Sequence, residues 1–302
     1  MAEKNFEEID RPEDYQYIWR YFPSLERIRE FLSGTIHLSP LSAFKDSYEA
    51  ISPLLFHLIQ LGDNAMVMNS REPNSNSFFR IPMLEDLKFH YSIARLRDLW
   101  EIPDGIKFQE VLTETIQRIP EIITAHQKLQ ERIFASCWFI TTSLQEEYLM
   151  WQSYSKPGGA AIRMNFKEFK RIVDYAGRYP ENDHLFNPDF IKYQKMGFIK
   201  YPEYLDQEWL NMVKSGTPLS FFKHPSYQRE KEFRLCIETK EGVDFAGRNK
   251  LYFFNVGLSD AFHVILHPSS SVTEYERMTA LLKDLRLSGK VFYSDLKLRR
   301  TL

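Results

Sequence analysis

The sequence predicts an α+β fold: a mixed or antiparallel split sheet with a helical insertion and a C-terminal strand-helix-strand unit. Three observations carry this prediction. Short β-branched and aromatic runs recur along the chain at 15–22, 133–142, 160–166, 232–238 and 251–256. Residues 51–133 read instead mainly as helix. At the end, FHVILHP, then SVTEYERMTALLKDLRLSGK, then VFYSDL reads as strand, helix and strand.

Taken in order, YQYIWRYF at 15–22 has the aromatic density of a buried strand and carries Trp19, Arg20 and Tyr21. Ser24 then caps a helix in which Leu25, Ile28, Phe31 and Leu32 recur at helical spacing, and Gly34 breaks it. A short strand follows over 35–38. The segment SPLSAFKDSYEA, 39–50, mixes turn formers with buried-type aromatics and predicts a loop held against the core. Within the helical insertion, REPNSNSFF at 71–79 is a polar interruption and IPDG at 102–105 a turn. After the strand at 133–142, Ser143 and Glu146 have the spacing of a capping box for a helix over 143–154. Lys156-Pro157-Gly158-Gly159 makes a turn. The strand AAIRMNF, 160–166, then places Ile162, Met164 and Phe166 on one face. From 167 to 220 helix signals alternate with Pro-containing loops, and no repeat or low-complexity tract interrupts the chain.

Composition narrows the class of function. The 302 residues, 43% of them hydrophobic and 15% aromatic, suffice for one elaborated domain, 1–302, with 51–130 as the insertion. Basic and acidic residues nearly balance at 39 and 41, so no global field draws the chain to nucleic acid or an anionic membrane. Two cysteines build no disulfide framework, the start lacks a signal-peptide pattern, and no apolar run nears the roughly 20 residues of a bilayer span. A cytoplasmic protein with no membrane partner is expected. The eight histidines form no metal-ligand pattern with cysteine, so no metal is expected. Gly-x-Gly-x-x-Gly, Walker and Gly-x-Ser-x-Gly motifs are absent.

The strongest local signal is Glu230-x-Glu232-x-Arg234, where strand alternation puts three charges on one face. Two carboxylates that close raise one another's pKa and an arginine orients one of them, which suits a general base or an electrostatic stabiliser. A solvated face with an ordinary ion pair fits the same residues. Met150, Trp151 and Tyr154 share a helical face ahead of the glycine turn, as a stacking platform or as core packing. Asp46 and Glu49, beside Ser39, Ser42 and Tyr48, either hydrogen-bond a polar ligand or staple their own loop.

In order, the aromatic-Arg-Tyr strand, FKDSYEA, the Cys-Trp-Phe strand, MWQSYSKPGGAAIRMNF and YQREKEFRLCIE resemble the bacterial family called domain of unknown function 2971. The resemblance covers most of the chain outside 51–130. Asp46, Glu49, Met150, Trp151, Tyr154, Gly159, Glu230, Glu232 and Arg234 match by position, whereas Lys45 and Ser47 stand where the family usually carries Asn and Pro. The order of parts is also similar to that of ADP-ribosyltransferases, which cleave the nicotinamide bond of NAD and end in a late Glu-x-Glu. That similarity implies a catalytic set of Glu232, Glu230 and Arg234, with Glu232 as the carboxylate that stabilises the oxocarbenium-like sugar. It implies NAD as co-substrate, held by Arg20, Tyr21, Ser39, Tyr48, Trp151 and Tyr154, with Arg20 forking onto pyrophosphate or ribose. A nucleic acid or a protein would be the acceptor, and a bacterial defence or toxin effector the setting. The alternatives are a non-catalytic nucleotide- or partner-binding module of a defence system and, ranked lower, a Mg²⁺-dependent nuclease using Asp46, Glu49, Glu230 and Glu232.

Overall fold

The computed structural model describes residues 5–44, 46, 49–69, 83–144, 146–203, 207–245, 247–253 and 262–298, with backbone alone for 62–69 and 83–91. The chain is α+β. It forms two compact units, one of Met1–Ala43, Arg132–Ile199 and Gln228–Leu302, the other of Phe44–Glu131 and Lys200–Tyr227.

The strands, all in the first unit, are β1 (Glu7–Glu8), β2 (Tyr17–Phe22), β3 (Thr35–His37), β4 (Ser39–Pro40), β5 (Ile133–Thr141), β6 (Ala160–Asn165), β7 (Ile191–Phe198), β8 (Glu232–Thr239), β9 (Lys250–Tyr252), β10 (Phe262–Leu266) and β11 (Lys290–Tyr293). The helices are α1 (Leu25–Leu32), α2 (Pro53–Asn69), α3 (Met83–Trp100), α4 (Gly105–Gln117), α5 (Ile119–Arg132), α6 (Tyr148–Tyr154), α7 (Phe166–Ala176), α8 (Asp183–Phe186), α9 (Gln207–Lys214), α10 (Val272–Asp284) and α11 (Asp295–Leu298).

Nine strands form one mixed sheet in the order β1-β7-β8-β5-β2-β6-β10-β11, with β4 beside β5, while β3 and β9 make a separate pair. The four central strands and their inner neighbours run antiparallel; β1 on β7 and β11 on β10 are parallel. Because side chains alternate across the sheet, one face carries Ile18, Trp138, Ile162, Phe233, Leu235 and Val264 against α1, α7 and α10 in the main core. The α7 side of that core follows from sequence: Asn165 caps the helix by accepting from Glu168 N, and Phe169, Ile172, Val173 and Ala176 line one side. The opposite face has a smaller aromatic cluster of Trp19, Tyr21, Phe139 and Ile265 under Trp151 of α6.

Most predicted elements stand within a residue or two of their expected bounds, including the terminal strand-helix-strand, whose α10 carries a capping box from Ser271 and Glu274. Three local expectations change. The strand β7 arises in a stretch read as helix and loop, because Lys192, Gln194 and Lys195 obscure its alternation. The segment 143–154 yields only the short α6, whose N-cap Glu147 makes no side-chain cap; Glu146 is engaged elsewhere. Glu230 does not belong to the strand. It closes a 3₁₀ turn, and Lys231 at φ 40° resets the backbone before β8 begins at Glu232. The polar interruption 71–79 and residues 254–256 of the expected 251–256 strand lie outside the described residues.

In the second unit, α2, α3, α4 and α9 bring together two apolar clusters, one around Phe56, Trp209 and Phe222, the other around Leu58, Leu96 and Phe108. Asp104 caps α4, turning the IPDG signal into a helix start.

Candidate functional site

Strand register places the candidate charges. Glu232 pairs with Phe139, Phe139 with Trp19, Trp19 with Arg163, and Arg163 with His263. These five side chains form one row across a single sheet face. Arg234 lies two residues further along β8, opposite Cys137. Glu232 and Arg234 are both buried, and Arg234 Nε donates to Glu232 Oε1 at 2.7 Å. The carboxylate therefore has a charge-assisted partner that fixes its orientation.

Arg163, next to last in the row, stands in an aromatic setting. Its guanidinium stands 5.2 Å from the Trp19 ring centroid and 5.8 Å from that of Tyr17, and Nη2 donates to His263 Nδ1 at 2.8 Å. Burial, with Arg163 and Lys290 close by, lowers the pKa of His263, in keeping with a neutral ring that accepts this bond.

Helix α6 and the approach to β8 meet at a second group. Tyr154, an exposed residue, donates from its hydroxyl to Glu230 Oε1, joining positions 76 residues apart. One turn back, buried Trp151 packs edge-on to Tyr21 at 4.9 Å and donates from Nε1 to Glu146 Oε2 at 2.8 Å. Glu146 also accepts from Ser294 and from the backbone N of Asp295, tying α6 to α11. The Tyr21 hydroxyl is buried, and burial followed by the nearby Glu146 carboxylate raises its pKa, keeping the phenol protonated. Trp151 thus packs into the aromatic cluster, with Met150 half-buried beside it, while Tyr154 faces outward. Gly159 supports the turn behind them, where an added Cβ would lie 2.3 Å from Phe22 O and 2.4 Å from Ser155 Oγ.

The remaining predicted ligand residues separate. Arg20 sits on the main-core face of β2, opposite to Tyr21. It donates to Ser136 Oγ and to His37 O and lies over the rings of Trp138 and Phe22. Burial lowers its pKa to about 10, which leaves it charged at neutral pH. With its guanidinium so placed, Arg20 does not join Tyr21 or Glu232 around a common ligand. Ser39, on the short β4, is 3.5 Å from His37 Nδ1. Tyr48 lies outside the described residues.

The second unit holds a charged group of its own. Asp46, Glu49 and Lys223 are all buried. Lys223 Nζ stands 3.8 Å from Glu49 Oε1 and 4.5 Å from the Tyr227 ring centroid, and His224 N donates to Asp46 Oδ2 at 3.4 Å. Glu49 N bonds to Asp46 O, and Gln130 of α5 donates to Glu49 O. Of the two readings of this loop, such contacts are what stapling requires.

Sequence reasoning did not single out Arg163 or Lys223, and read Glu146 only as half of a capping box. Arg163 carried a usable signal, being the one charge in the strand run AAIRMNF. Among the described residues no three His, Cys, Asp or Glu side chains are grouped to hold an ion, and no helix is long and apolar enough to cross a membrane. Two surface concavities, of about 840 Å³ beside 93–103 and about 510 Å³ beside α10 and β11, share no lining residue with the predicted set. No protein-family model, curated protein or solved structure matches the chain.

Proposed function

We propose that the chain cleaves the nicotinamide-ribose bond of NAD, releasing ADP-ribose or passing it to an acceptor, with Glu230 as the working carboxylate. The observation that supports this reading is the hydrogen bond from Tyr154 to Glu230. It joins two residues of the ordered motif and holds a partly exposed carboxylate beside an exposed aromatic ring. In such a reaction the C–N electron pair leaves with neutral nicotinamide and the ribose carbon becomes cationic. An ionised carboxylate stabilises that cation, and water or the acceptor completes the new bond as it loses a proton. Tyr154 is the ring against which nicotinamide would stack. Arg229 and Lys231, exposed on either side of Glu230, replace Arg20 as the cations for the pyrophosphate. Glu232, held by Arg234 at the start of β8, becomes a positioning residue.

The non-catalytic nucleotide-binding module remains as a second reading, favoured by the commitment of Arg20 and Trp151 to packing. Chromatographic measurement of nicotinamide released from NAD, alone and with nucleic acid or protein acceptors, separates the two. The enzyme reading expects release that falls by about a hundredfold or more in Glu230→Gln. No release, with NAD still raising the melting temperature, favours the binding module. No release and no thermal shift overturns NAD as the ligand.

A further inference from the structure

We infer that Arg163, His263 and Lys290 form a binding site for a phosphate monoester that carries an aromatic group, separate from Glu230 and independent of NAD cleavage. The three residues lie on adjacent strands: Arg163 of β6 pairs with His263 of β10, and His263 with Lys290 of β11. Paired side chains share a sheet face, and neighbouring strands stand roughly 4.8 Å apart. Arg163 and Lys290 therefore flank the shorter His263 across roughly 10 Å of sheet, a span that their long side chains can close. Glu232 is three strands from Arg163, roughly 14 Å away.

This end of the row offers donors that lack acceptors. Arg163 donates to His263 Nδ1 at 2.8 Å and to the Leu144 carbonyl at 3.4 Å. Among the described residues no carboxylate forms an ion pair with it, and Glu146 and Asp295 act on it only from a distance. Its Nε is a buried donor without an acceptor, and so is Nε1 of the fully buried Trp19, whose ring centroid lies 5.2 Å from the guanidinium. Because His263 Nδ1 accepts, the neutral ring carries its proton on Nε2, which is a further donor. Lys290 is exposed and forms no ion pair among the described residues. Buried donors and cations without counterparts cost free energy, which a bound anion offsets.

Charge and oxygen count select that anion. Two full positive charges and donors on three side chains match a dianion with several free oxygens, and a phosphate monoester is largely one at neutral pH. A carboxylate or a backbone phosphodiester brings a single charge and leaves one cation unmatched. Phe292 is exposed and stands edge-on to His263 with centroids 5.1 Å apart, so its ring suits an aromatic group on the ester, as in a nucleoside monophosphate. Arg163 and His263 are half-buried, which leaves the site open to solvent.

The test is calorimetric titration of the intact protein with adenosine monophosphate, its phosphate methyl ester, adenosine and glycerol phosphate. The expected result is that adenosine monophosphate binds at least about tenfold tighter than any of the other three. Lys290→Gln, an exposed change, should lower that affinity about tenfold, whereas Lys283→Gln, exposed on α10 against the opposite face of the sheet, should leave it unchanged. The His263 ring resonances, assigned with His263→Gln, should move as the nucleotide is added. No binding, equal affinity for the methyl ester, adenosine or glycerol phosphate, equal losses in the two lysine variants, or unmoved His263 resonances each overturns the proposal.

Discussion

At the scale of single residues, the least expected feature is how differently adjacent motif members are used. Glu230 and Glu232 are two positions apart, yet Lys231 at φ 40° separates a partly exposed carboxylate on a turn from a buried one on a strand. Removing the charge should therefore have different consequences at each. Glu232→Gln leaves Arg234 in a buried site without its carboxylate, and a cost of about 3 to 5 kcal/mol is expected, read as a lower urea midpoint. Adding Arg234→Met should regain part of that loss, since neither charge is then left buried alone. Glu230→Gln should leave the midpoint nearly unchanged while lowering NAD cleavage by about a hundredfold or more. Arg20 gives a contrasting prediction. Its planar fork serves Ser136, His37 and two rings at once, so Arg20→Lys should cost about 1 to 3 kcal/mol with nicotinamide release preserved in the folded fraction. Sequence made the chemistry of these residues visible but not their sidedness: the alternation that sends Arg20 and Tyr21 to opposite faces was readable, whereas the left-handed Lys231 was not.

At the scale of elements, legibility followed amphipathic contrast. Strands β2, β5, β6 and β8 are apolar runs inside the sheet and declare themselves, as does α7 through its one-sided pattern. Strand β7 did not, because only the two-residue β1 covers its outer side and half of its residues remain accessible enough to be Lys, Tyr and Gln. The glycine turn after α6 was legible for a physical reason the structure makes quantitative. Gly159 sits where its N donates to Lys156 O and its own carbonyl accepts from His267 N, against the backbone of Phe22. Backbone cannot move aside as a flexible side chain does. Gly159→Ala should therefore cost about 3 kcal/mol or more, whereas Ser271→Ala at the exposed capping box of α10 should cost about 1 kcal/mol. Thermal melts of the two variants side by side would check the contrast.

At the scale of the whole molecule, burial sets a common response to acid. Among the described residues, His37, His57, His126 and His263 have pKa values lowered mainly by burial. His57 is the extreme case. Enclosed between Phe56 and Trp209 and contacting Ser92 Oγ at 3.4 Å, it falls to about 4 from an ordinary 6.5. A base with a depressed folded pKa binds its proton more readily in the unfolded chain, so between these two values the unfolded state holds more protons and stability declines as pH drops. The contribution is intact above about pH 6.5, fades through the window below it and is lost near pH 4, on the order of 3 kcal/mol in all. His57→Phe keeps an aromatic ring but cannot titrate. Its stability relative to the parent should accordingly rise as pH is lowered from 7 to 4, measured as the difference in urea midpoint at each pH. A constant difference across that range would mean that His57 takes up its proton equally well in both states, and that the acid response of the chain resides elsewhere.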